Sequence, residues 1–107
     1  MLSSGALANL VDLQLGNNQI GDTGMIAFVD AIKPTDEIPM GALAKLTNLD
    51  LAYNKIGDDG MKAFSDAIAM GGLGSLQKLE LHRDPASESA KNVVKAVAFS
   101  RGINLRI

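Results

Sequence analysis

One stretch of the chain gathers the residue types that move protons. Glu80, His82, Arg83 and Asp84 lie within a few positions of one another, and an imidazole beside a carboxylate is a common ingredient of general acid–base catalysis. The surrounding sequence supplies no activated nucleophile and no pattern of oxyanion donors, so the expected role of His82 is a solvated loop residue. Cysteine is absent and His82 is the single histidine, which removes thiol catalysis, disulfides, thiolate metal sites and any multi-histidine metal site within one chain. Gly71-Gly72-Leu73-Gly74 has the composition of a phosphate loop but precedes a strand-like segment. Phosphate loops follow a strand and open a helix, so this run reads as a turn. Asp58-Asp59-Gly60 lacks calcium-loop spacing and reads as a helix start favoured by the positive end of the helix dipole. No catalytic residue, cofactor or metal is expected.

The elements that carry these residues come from a duplication. The segment Gly5–Ile32 is nearly rewritten at Gly41–Ile68, and a decayed third copy begins at Leu73 and keeps Leu76, Leu79 and Leu81. Self-similarity of this kind marks a solenoid, whose units stack because none buries its apolar face alone. Leu13-Gln14-Leu15, Leu49-Asp50-Leu51 and Leu79-Glu80-Leu81 alternate as strands with one buried face. The spacing then turns helical, with Met25, Phe28 and Ile32 matched by Met61, Phe64 and Ile68. Asp22 and Asp58 are placed to N-cap the helices they precede, and Ser87 to cap a third helix carrying Ala90, Val93, Val94 and Val97. The units run at about residues 5–40, 41–70 and 71–101 of a single 1–107 domain, with a partial fourth strand at 102–107. The first connection carries an insertion with Pro34 and Pro39, which forbid regular helix.

Leu10-x-x-Leu13-x-Leu15-x-x-Asn18-x-Ile20 and its second copy, Leu46 to Ile56, resemble the leucine-rich repeat signature; Leu76 to Ala86 fits it partly. The continuation Ile-Gly-Asp-x-Gly-Met-x-Ala-Phe is similar to the ribonuclease-inhibitor-like subclass, whose units contain a full helix. The resemblance implies an α/β leucine-rich repeat solenoid: a short right-handed horseshoe segment with parallel strands on the concave face and helices on the convex face. It further implies that Asn18 and Asn54 form a ladder bonding the loop backbone of neighbouring units. A side-chain amide both donates and accepts, as such a turn requires. Asp84 stands at the third position, and a carboxylate cannot donate, so the ladder is expected to end there.

The polar residues between the leucines should line the strand face in columns, and the resemblance places a partner-binding surface there. Gln14, Asn17, Asp50, Tyr53, Glu80, His82 and Arg83 are the expected contacts, Tyr53 and Arg83 being residue types that often anchor interfaces. The expected function is binding of a protein partner without intrinsic catalysis. Two alternatives stay open: a structural piece of a longer array without its own ligand, and a regulatory repeat domain like those of Ran GTPase-activating proteins, which share this repeat type. A net charge of −2 offers no field for a phosphate backbone, so nucleic acid is not an expected partner. No apolar run approaches the ~20 residues that cross a bilayer, and the first residues lack signal-peptide character; a cytoplasmic protein with no membrane partner is expected. Leu105 and Ile107 on a terminal strand edge predict self-association unless covered. Ile26 and Val29 replace Lys62 and Ser65 on what reads as the outward side of the first helix, which predicts cover, from the insertion around Ile38, Pro39 and Met40, a missing upstream unit or a second chain.

Overall fold

The computed structural model describes residues 10–34 and 43–107. Four strands, β1 (Asp12–Gln14), β2 (Asn48–Asp50), β3 (Lys78–Glu80) and β4 (Asn104–Arg106), alternate with three helices, α1 (Asp22–Ile32), α2 (Asp58–Ala69) and α3 (Glu88–Ser100). The strands form one sheet in sequence order, every pair parallel. Each helix therefore returns the chain to the same end of the sheet, and the chain is an α/β solenoid. The register stacks Leu13, Leu49, Leu79 and Leu105 in one column. Leu49 and Leu79 are completely buried, whereas Leu13 and Leu105 at the two ends are half-buried, as expected when each unit is sealed only by its neighbours. Leu46, Leu51, Ile56, Met61, Phe64 and Leu81 complete the interior between strands and helices.

Three polar arrangements hold the units together, and two depart from expectation. Asp22 and Asp58 are not N-caps of their own helices: the cap positions are Gly21 and Gly57, neither with a side-chain bond. Each aspartate reaches across to the next unit instead. Asp22 Oδ1 accepts from the amides of Gly57 at 2.7 Å and Gly60 at 3.0 Å, at the start of α2. A side chain at Gly60 would stand 2.7 Å from that oxygen, so the glycine permits the approach. Asp58 accepts from the Ser87 amide at 2.6 Å and the Ser87 hydroxyl at 2.8 Å; the amide foremost, these bonds hold its carboxyl below the usual carboxylate range. Ser87 does cap α3, accepting from Ala90 N–H. The caps are thus mortar between units. Asp22→Ala is expected to lower the unfolding free energy by about 1.5 kcal/mol, read from urea melts, with hydrogen exchange accelerated in the first turn of α2 rather than of α1.

Arg101, which no motif singles out, closes the other end of α2. Its guanidinium donates to the carbonyls of Ile68 at 2.8 Å, Gly72 at 3.0 Å and Leu73 at 2.7 Å, satisfying acceptors that a helix end leaves open. Gly71 turns the chain there with φ +102, so the glycine-rich run is indeed the turn between units. The tail forms β4 as its alternation predicts. The outward reading of Val29 is overturned: it is buried, as is its counterpart Ser65, because this position faces the neighbouring elements and not solvent. Ile26 does remain exposed. The insertion residues Ile38, Pro39 and Met40 lie outside the described residues.

Candidate functional site

Strand pairing places the polar residues of successive units side by side. Asp12, Asn48, Lys78 and Asn104 form one column, and Gln14, Asp50, Glu80 and Arg106 the next. The ladder continues beyond the strands: Asn17 N–H donates to Ala52 O at 3.1 Å, and Tyr53 N–H to His82 O at 3.0 Å. Gly16, Ala52 and His82 therefore neighbour one another, as do Asn17, Tyr53 and Arg83. All seven residues singled out from the sequence fall on these columns.

Their environments differ. Gln14 Nε2 donates to Asp12 Oδ1 at 2.7 Å. Asp50 Oδ1 accepts from Ala52 N–H at 2.9 Å, which fixes the carboxylate at the strand end. Glu80 lies 3.6 Å from Arg106, whose side chain is exposed, so the pair adds little stability. Tyr53 is 51% exposed and meets His82 edge to face, ring centroids 5.4 Å apart. Asn17, Tyr53 and Arg83 share a left-handed backbone, with φ of 62, 58 and 65. Asparagine adopts that conformation readily; a tyrosine or arginine there costs about 1 kcal/mol. The backbone turn thus holds a large aromatic and a cation outward at a position where a smaller residue is easier to fold.

Beneath this row runs the ladder. Asn54, buried, accepts at Oδ1 from the amides of Asn18 at 2.9 Å and Ile20 at 3.0 Å. Its Nδ2 donates to Leu15 O at 2.9 Å, Leu51 O at 3.0 Å and Ala52 O at 3.3 Å. Asn18, exposed, donates to Gly16 O at 3.1 Å. The ladder does not stop entirely at Asp84. Its Oδ1 accepts from Ile56 N–H at 3.1 Å, continuing the accepting half, while buried Oδ2 has no partner among the described residues. Burial pushes the Asp84 carboxyl up to about 6, against the amides of Ile56 and Asn54 and the charges of Lys91 and His82, which pull it down.

The loops after β2, β3 and β4 and the first turns of α3 enclose an open groove of about 790 Å³, bordered by Lys55, His82, Arg83, Asp84, Lys91 and Ile107 among others. Sequence reasoning placed the binding surface on the strand columns and missed Lys55 and Lys91. The signal was present: Lys91 stands where the first two units carry Met25 and Met61. Among the described residues, no three His, Cys, Asp or Glu side chains converge as a metal site would require, and no helix is long and apolar enough to cross a membrane.

The Leucine Rich repeat family model matches residues 6–29 and 42–65, each span covering the strand, the loop and most of the helix of one unit. Neither the curated proteins nor the solved structures contain a significant match to the chain.

Proposed function

From the premise that this chain is a leucine-rich repeat solenoid, a fold generally used for protein interaction and typically without catalysis, we propose that residues 1–107 act as one cytoplasmic module that binds a protein partner on the concave strand face. Gln14, Asn17, Asp50, Tyr53, Glu80, His82 and Arg83 make the contacts. A full helix in every unit supports the ribonuclease-inhibitor-like subclass. The carrying observation is the outward presentation of Tyr53 from a left-handed turn, in register with Asn17 and Arg83. An aromatic kept in a backbone conformation that asparagine fills more easily serves something other than the fold.

Tyr53→Asn copies the first unit, so the fold keeps a residue it already accepts. A photo-crosslinker at Gln14 is expected to capture a partner from cell extract, one at Asp66 on the helix layer is not, and Tyr53→Asn should weaken the captured partner's affinity about tenfold or more. Equal capture from both faces, or unchanged affinity in Tyr53→Asn, overturns the reading. Self-association is a second reading, favoured by half-buried Leu105 and Ile107 at β4, which pairs only with β3 among the described residues. It predicts a concentration-dependent sedimentation coefficient.

A further inference from the structure

The geometry points to the groove at the loop end of β2 and β3 as a docking site for an acidic peptide segment of the protein partner, held by Lys55, Arg83 and Lys91 beside His82. This rests on the concave-face reading above and names the partner's chemistry. The first observation is internal to the chain. The same turn is built three times, and the first two copies fold without the charges that the third carries; Lys55 comes from the second copy. Where the first units have Gly16 and Ala52, the third has His82; Asn17 and Tyr53 become Arg83; Asn18 and Asn54 become Asp84; Met25 and Met61 become Lys91. Stacking therefore does not require them, and Asp84 leaves a buried oxygen without a partner among the described residues, a loss to the fold that asparagine avoids.

The second observation is charge complementarity. Lys55, Arg83 and Lys91 all border the groove, and among the described residues none of their side chains forms a salt bridge or hydrogen bond, although the charge of Lys91 is felt by Asp84. Lys91 puts a half-buried stem where its counterparts are fully buried methionines, the usual way a lysine lays its chain along apolar surface and delivers its ammonium to the edge. Asp84 is the acidic side chain bordering the groove; as a carboxylate at pH 7 it offsets one of the three cations and leaves the other two. Net positive potential in an open groove attracts carboxylates. Asp50 and Glu80 lie on the adjoining columns, and the whole chain is acidic. A long polyanion such as nucleic acid would run against those carboxylates; a short acidic segment need not.

The test uses a fluorescent octaglutamate peptide, with octaglutamine, octalysine and a single-stranded oligonucleotide as comparisons, measured by anisotropy on the full chain. Octaglutamate is expected to bind, weakening as salt rises from about 50 to about 300 mM, while octaglutamine and octalysine do not. Lys91→Met and Arg83→Asn restore residues the other units fold with, and each should weaken octaglutamate about fivefold, the pair about twentyfold. Lys62→Gln, away from the groove, should change nothing. Octaglutamate binding no better than octaglutamine, or binding equally to the double variant, overturns the proposal. So does an oligonucleotide that binds more tightly and loses affinity in the same variants. The two readings fail separately: loss of partner capture in Tyr53→Asn without octaglutamate binding removes the groove alone, and octaglutamate binding with capture indifferent to Tyr53 removes the strand-face reading.

Discussion

Asn54→Ala is expected to lower the unfolding free energy at neutral pH by about 4 kcal/mol, the largest loss from a single polar residue in this chain. The side chain is buried and joins two units, accepting from Asn18 and Ile20 and donating to Leu15, Leu51 and Ala52. Alanine leaves two amides and three carbonyls to find water inside a stacked loop, and each buried orphan costs about 1–3 kcal/mol, with partial relief by relaxation. Domains of this size hold only about 5–15 kcal/mol in total. Because a solenoid is coupled only between neighbours, the loss should fall at the junction of the first two units. Hydrogen exchange in residues 12–32 should then accelerate ahead of exchange in α3. Asn54→Asp should retain the accepting half and lose about half as much. A uniform loss below about 1 kcal/mol would show that the ladder does not couple the units.

Asp84→Asn is expected to act in the opposite direction, raising the unfolding free energy at pH 7 by about 2 kcal/mol. The carboxyl sits at about 6 in the folded chain against 3.8 in solution. That difference amounts to about 3 kcal/mol at neutral pH, and screening in the open groove reduces it. The sign follows from proton binding. The folded state holds this proton more tightly than the unfolded state, so its contribution to stability is greatest below pH 3.8, declines as pH rises to about 6, and is lost above it. Acidification from pH 7 to 5 should therefore stabilise the wild type relative to Asp84→Asn, narrowing the gap between them. Urea melts at the two pH values read this directly. A destabilised variant at pH 7, or a gap that does not change with pH, contradicts the assignment. If the variant also improves octaglutamate binding, the carboxylate is confirmed as an opponent of the three cations.

The amino-acid sequence alone determined the unit and its stacking. Alternating leucines and the switch to helical spacing state which side chains share a face, and two nearly identical copies state that those faces repeat. The strand register, the burial of Leu49, Leu51, Met61 and Phe64 and the column neighbours of Tyr53 all follow from that periodicity, while the bridging role of Asn54 is implied by the resemblance to leucine-rich repeats. The tertiary structure decided where polar side chains find their partners. Asp22 and Asp58 have the type and position of local caps, yet stacking brings the next helix's free amides within their reach, and the bond crosses between units. Arg101 belongs to no motif and closes a helix end far from it in sequence. Val29 reads as outward until the layer around it is in place. Lys55 and Lys91 share a groove only because adjacent loops pack side by side. Periodicity encodes the orientation of a side chain relative to its own backbone; the identity of its partner depends on how one turn of the solenoid is seated on the next, which no single turn contains.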